Sequence, residues 1–312
     1  MTTAVPGGEG FELTRGGHRA IVNEVGATLR TYAVGGRDVV DGFGADERAS
    51  GGRGQLLLPW PNRLDDGRYT FDGITCRAPI DEPSRGNAIH GLLRWMPWTL
   101  LDRADEGVTL GCTLHPQPAY AWTLEIEVRY ELVPTGLRVT MAAENRSASP
   151  APFGAGAHPY VTVETDTIDD ASLLIPADRR LVTDDRGLPT EGVDVSGTPF
   201  DFTRERVIED LTLDTCFTSL ARDGDGLARV TLATPPGERR VRVWMDDAFP
   251  WVMVYSGDTV EPASRRRRGI AIEPMTCPPN ALRTGIDVVT LAPGERWTGT
   301  WGIDPTDAGG TT

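Results

Sequence analysis

Trp122-Thr-Leu-Glu-Ile-Glu-Val-Arg-Tyr-Glu-Leu132 carries an apolar residue at every even number and a polar one at every odd number. A helix would scatter those apolar residues around its circumference, whereas an extended chain sends them all to one side. The stretch is therefore expected to be a strand with one buried and one wetted face.

Working outward, similar runs occur at 136–143, 240–245, 251–255, 269–272 and 297–303. They are separated by turn signals such as Asp72-Gly73, Pro134-Thr-Gly136, Asp223-Gly-Asp-Gly226, Pro235-Pro-Gly237 and Pro293-Gly294. Only short segments such as 204–213 have any claim to helix, so strands and helices do not alternate as a doubly wound fold requires. The expected architecture is all-β, a large β-sandwich. No long Pro/Gly/Ser linker interrupts it, and one domain over residues 1–312 is expected, with a frayed polar tail at 305–312. The absence of a fixed-period repeat argues against a propeller.

The formal charge of −14 disfavours nucleic acid and anionic membrane as partners. All 31 cationic residues are arginine. Lysine Schiff-base chemistry, pyridoxal phosphate and lysine-ended phosphate loops are thereby excluded. The N-terminus has neither a basic n-region nor an apolar h-region, and no later run approaches eighteen apolar residues, so a cytoplasmic protein is expected. Cys76, Cys112, Cys216 and Cys277 include no Cys-x-x-Cys pair and read as reduced thiols.

Four segments interrupt the alternation with polar groups in apolar or glycine-rich surroundings. They are Leu56-Leu-Leu-Pro-Trp-Pro-Asn-Arg63, Asn87-Ala-Ile-His-Gly91, Phe153-Gly-Ala-Gly-Ala-His-Pro-Tyr160 and Ile270-Ala-Ile-Glu-Pro-Met-Thr276. Glu273 follows a run expected to be a buried strand and precedes a proline expected to end regular pairing. A carboxylate there is costly unless paired or useful, although a turn-capping glutamate fits the same context. His158 follows small residues that leave room beside its ring. His90 is similar, whereas His18 and His115 sit among turn-like residues. Arg63 and Asp214 suit a polyol, since a guanidinium donates to hydroxyls and a carboxylate accepts from them; either also suits a structural ion pair. The run Arg265 to Arg268 reads as a solvated loop or an anion contact. No nucleophile elbow, His-Glu-x-x-His pair or dinucleotide fingerprint is present.

In this order the segments resemble the aldose 1-epimerase (galactose mutarotase) family. The resemblance rests on Pro-x-x-Asn-Arg63 ahead of Gly67-Arg-Tyr-Thr-Phe-Asp-Gly73, then Ile89-His-Gly91, Gly156-Ala-His-Pro-Tyr160, an Asp214 segment and Ile272-Glu-Pro274. It extends to the opening Ala20 to Leu29 and the closing Leu291 to Glu295, and so covers about residues 10 to 304. It implies a galactose mutarotase-like supersandwich with an open cleft. It also implies His158 as general acid and Glu273 as general base, with Arg63, His90, Asp214, Asn62 and Tyr160 binding substrate. Val161 departs from the family, where an aromatic residue is common, as does the segment after Glu273.

Opening a hemiacetal needs one group to take the proton of the anomeric hydroxyl and another to protonate the ring oxygen. A carboxylate and an imidazolium supply that pair without metal, nucleotide or covalent intermediate. The expected activity is anomer interconversion of a free aldohexose, with no cofactor, by a monomer or homodimer. The alternatives are a sugar 6-phosphate mutarotase, a non-catalytic sugar-binding protein on the same fold, and a two-carboxylate glycoside hydrolase.

Overall fold

In the strand Leu124–Val133, residues Leu124, Ile126, Val128, Tyr130 and Leu132 are buried and the odd-numbered residues face outward. Each such burial contributes about 1.5–3 kcal/mol. The computed structural model in which this is seen describes residues 5–235 and 237–307. Trp122 precedes the strand and packs edge-on against Phe71 and Tyr120.

Among the described residues the larger sheets have nine, eight and four strands. The nine-stranded sheet centres on Leu124–Val133, Gly136–Asn145, Arg296–Asp307 and Arg239–Met245, consecutive neighbours in space and all antiparallel. The eight-stranded sheet contains Asp214–Leu220, Trp251–Tyr255, Ile270–Met275 and Gly156–Ala157 in that order, with Tyr160–Val161 also paired to Ile270–Met275. Residues of all three sheets meet in one buried cluster that includes Phe11, Val128, Val252 and Ile303. The layers are therefore sheet on sheet, as the periodicity requires.

Three expectations need correction. Residues 204–213 form no helix; they hold the short edge strand Arg206–Val207 and turns, and the one α-helix among the described residues is Ala281–Thr284. Its apolar residues Ile208 and Leu213 are buried in the core from extended and turn conformation instead, with Arg206–Val207 paired to Ser172 and Leu173. Residues 305–307 are paired with Arg239–Val241 instead of fraying, while 308–312 lie outside the described residues. Pro274 does not end its strand, because Val252 pairs with Pro274 and Trp251 with Met275.

The proline is tolerated because of where its missing donor falls. Ile272 N–H donates to Pro159 O, and Thr276 N–H donates to Ala155 O. Backbone groups alternate sides along a strand, so Pro274 also faces the 155–159 segment and removes no bond to Trp251–Tyr255. Among the described residues no helix is long and apolar enough to cross a membrane.

Candidate active site

Gly156 pairs with Met275 and Tyr160 with Ala271, one unbroken register on either side of residues 157–159. That register sets His158 directly opposite Glu273. With Pro159 and Ile272 joined by a backbone bond, the His158 and Glu273 positions form the adjoining non-bonded pair, where facing side chains come closest. His158 Nε2 lies 3.2 Å from Glu273 Oε1. The same face of the sheet carries Asp214, Cys216, Met253 and Tyr255 through the pairings Asp214 with Tyr255, Cys216 with Met253 and Met253 with Glu273. The opposite face presents Val252, Val254, Ile270 and Ile272 to the core.

Both groups are almost wholly buried, with side-chain exposures of 4% for His158 and 2% for Glu273. Burial raises the Glu273 carboxyl well above the usual carboxylate range, Asp214 adds to the rise and Arg63 opposes it. Burial depresses His158 to about 3, a backbone hydrogen bond opposes this, and the Arg53 and Arg94 charges push it further down. Both shifts favour the uncharged carboxyl and the uncharged imidazole over an ion pair. Glu273 Oε2 and His158 Nδ1 are buried without a hydrogen-bond partner. Unpartnered buried polar atoms cost about 1–3 kcal/mol each, so the pair is poor as a stability element and well placed as a reactive one.

The pair borders a cavity of about 500 Å³ also lined by Asn62, Arg63, Glu82, His90, Asp214 and Trp95. Arg63 opens the strand Arg63–Asp65, which pairs with Asn87–Ile89 and brings His90 alongside. Arg63 Nε donates to Glu82 Oε2 at 3.0 Å and Nη2 to Asp214 Oδ2 at 3.3 Å. Burial penalises the Arg63 cation, but Asp214 and Glu82 outweigh it and hold its proton affinity above the ordinary value. The Asn62 backbone N–H donates to His90 Nδ1 at 3.2 Å. With burial holding His90 neutral, that bond leaves the proton on Nε2 and makes His90 a donor.

Of the residues singled out in the sequence, His158, Glu273, Arg63, His90, Asp214 and Asn62 converge on this cavity. Tyr160 does not line it. Its ring is buried behind His158, stacked at 5.1 Å, and its hydroxyl donates to Gly51 O at 3.0 Å. His18 bonds Tyr32, away from the cavity. In the arginine run, Arg265 holds Gly42 O and Glu47, Arg266 holds Val260 O and Glu261, Arg267 holds Asp169 and Asp258, and Arg268 lines a separate depression beside Asp38, Asp41 and Glu164. None of the four lines the cavity. A wider depression of about 1040 Å³ beside Arg37, Glu164 and Arg239 has no histidine in its wall. Cys76, Cys216 and Cys277 are buried free thiols, and Cys112 is a half-buried one.

Sequence reasoning missed Glu82, Arg85, Arg94 and the Gly51-Gly52-Arg53-Gly54 loop. The loop carried a signal in its three glycines, all with positive φ. At Gly52 a Cβ would stand 2.6 Å from His158 Cδ2, so only glycine lets the backbone pass the ring. Glu82 carried none, since it lies 19 residues from Arg63 and reaches it only through the fold. Among the described residues no group of three or more His, Cys, Asp or Glu is arranged to hold a metal ion.

Comparison with known proteins adds to this geometry. The uncharacterized protein YihR of Escherichia coli strain K12 is 33% identical over 289 residues, covering 92% of this chain and 90% of that protein. The aldose 1-epimerase of the same strain is 28% identical over 163 residues, or 50% of this chain and 46% of that one. An aldose epimerase homologue from C. elegans superimposes with a TM-score of 0.83 at 19% identity, covering 96% of this chain and 99% of that one, and shows the same mutarotase-like β-sandwich fold. The family model described as aldose 1-epimerase matches residues 10–304, a span that holds every strand lining the cavity, and the chain belongs to that family.

Proposed function

We propose that this chain interconverts the α and β anomers of a free aldohexose, with His158 as acid and Glu273 as base. The observation that supports this most directly is the buried His158–Glu273 pair, held at 3.2 Å with one unpartnered atom on each side chain. The anomeric hydroxyl oxygen and the ring oxygen are bonded to the same carbon, so a base and an acid that are near neighbours can reach both. Burial alone favours the protonated carboxyl and the neutral imidazole, so the reading requires the bound sugar to move that proton from Glu273 Oε1 to His158 Nε2 before the ring opens. Glu273 takes the hydroxyl proton while His158 protonates the ring oxygen, and the ring opens. Rotation about the bond between the first two carbons presents the other aldehyde face, and the residues exchange roles on closure. Arg63, His90, Asp214 and Asn62 hold the sugar hydroxyls. The reading needs no cofactor.

The test is polarimetry. Freshly dissolved α-glucose, α-galactose and α-xylose should relax to equilibrium faster with protein than in buffer, and equally fast after exhaustive chelation. Relaxation of every sugar at the buffer rate, with folded protein present, would overturn the catalytic reading and leave a sugar-binding protein. Comparing glucose with glucose 6-phosphate tests the phosphorylated alternative. A cytoplasmic location is part of the proposal, supported by four free cysteines.

Asp214→Asn and Arg63→Met should act mainly on affinity. Each loses a charged hydrogen-bond partner, a contribution of about 1.5–3 kcal/mol, or roughly 10- to 150-fold in kcat/KM. The loss should differ between sugar epimers. Identical constants for wild type and Asp214→Asn on all sugars would remove Asp214 from the binding set. Asp246, another aspartate near the Trp251 strand, accepts from Ala248 and Thr300 backbone N–H groups and does not line the cavity.

A further inference from the structure

A catalytic imidazole is commonly oriented by a hydrogen bond to its second nitrogen. No other residue gives His158 such a bond; its Nδ1 meets only the histidine's own backbone. Something else must fix the ring plane. Behind it lies Tyr160, whose ring is nearly parallel to the imidazole, 5.1 Å between centroids and 17° between planes. Behind Tyr160 in turn stands the Arg53 guanidinium, 4.4 Å from the phenol centroid.

Arg53 is only 2% exposed, and arginine is rarely so buried unless its donors are matched. Nε donates to Asp41 O and Nη2 to Asp41 Oδ2, each at 2.8 Å, while Nη1 reaches Ser50 O at 3.3 Å. The plane of the fork is thus set by three separate acceptors. The flanking chain closes on both rings: Tyr160 donates to Gly51 O, Gly54 N–H donates to His158 O, and His158 N–H donates to Gln55 O. Gly52 presses on the imidazole edge.

We propose that Arg53 is a positioning residue for the acid–base step: anchored on Asp41, it holds Tyr160 flat and so fixes the angle at which His158 meets Glu273. The kinetic part of this inference rests on the anomer-interconversion reading; the orientation of the ring does not. Arg53 acts through stacking of a planar cation on an aromatic face, a contact that lysine cannot reproduce. Its charge also bears on the imidazole, together with Glu273 at 3.2 Å, the neutral His90 ring at 5.3 Å and the Arg94 cation.

Arg53→Lys, Tyr160→Phe and Tyr160→Leu provide the test, each checked for folding by circular dichroism. Misplacement of a reacting group by about 1 Å costs up to about 10²-fold in rate. Arg53→Lys and Tyr160→Leu should each lower kcat by about 10-fold or more with KM nearly unchanged, and the double variant should be little worse than either. Tyr160→Phe, which keeps the ring, should retain most of the turnover. In parallel, the His158 ring resonances should report one conformer in wild type and exchange between conformers in Arg53→Lys. Folded Arg53→Lys with wild-type kcat and an unchanged His158 spectrum would overturn the proposal. If the wild type fails to accelerate any sugar, the function reading falls, and the resonances alone decide whether Arg53 orients His158.

Discussion

Glu273→Gln is expected to lower turnover by about 10²-fold or more while the protein stays folded, because a proton-transfer partner contributes roughly 10²–10⁴-fold. Gln keeps the volume and the hydrogen-bonding reach of Glu but cannot take the hydroxyl proton. Folding should not suffer. The native carboxyl is already driven toward its neutral form by burial, and its Oε2 has no partner to lose. His158→Asn should have a comparable effect, since it removes the group that protonates the ring oxygen. The two losses should not multiply, because one proton serves both residues and either change disables the pair. Single-turnover polarimetry of both variants and the double variant measures this. Near wild-type turnover in either single variant would show that its residue does not transfer the proton.

Gly91→Ala should cost about 2–5 kcal/mol of stability and weaken sugar binding. Gly91 has φ +71°, and an added Cβ would stand 2.0 Å from Leu58 O and 2.3 Å from Leu58 C. The left-handed backbone costs an alanine about 1–2 kcal/mol, and forcing apart rigid backbone adds about 1–3 kcal/mol. The displaced backbone lies beside two groups of the site: His90 immediately precedes Gly91, and Leu58 leads into the segment that ends at Asn62 and Arg63. Gly73→Ala supplies the control, with φ +78° and nothing within 4 Å of the added carbon. It should lose only the backbone contribution. Urea midpoints of the two variants separate the contributions, and equal midpoints would show that the strand near Leu58 yields without cost.

Much of the fold was legible because a half-buried strand writes its two faces into alternate residues. Leu124 to Leu132 is the clearest case, and the burial of its even-numbered residues follows the alternation without exception. Ile270–Met275 was legible only in part. It is buried on both faces, so every residue reads as interior and alternation disappears. That is why Pro274 looked like a terminus, when it stands where a missing donor faces the proline-interrupted side of the ladder. For the site, motif resemblance brought out His158, Glu273, Arg63 and His90, but it placed Tyr160 on the cavity wall instead of behind His158.

By itself the sequence determined an all-β chain, the exclusion of lysine chemistry, and four polar segments bearing five of the six side chains that converge on the cavity, with Asp214 in a fifth segment. These are local properties, carried by residue type and by periods of a few residues. The tertiary structure alone decided that His158 and Glu273 are cross-strand neighbours, that Glu82 holds Arg63, and that Arg53 backs Tyr160. Each joins groups through strand register or through loops closed across the sheets. Register between segments 115 residues apart in sequence, as for His158 and Glu273, has no signature in either segment. It follows from the packing of whole faces, since a slip of one residue would send Glu273 into the core and Ile272 into the cavity.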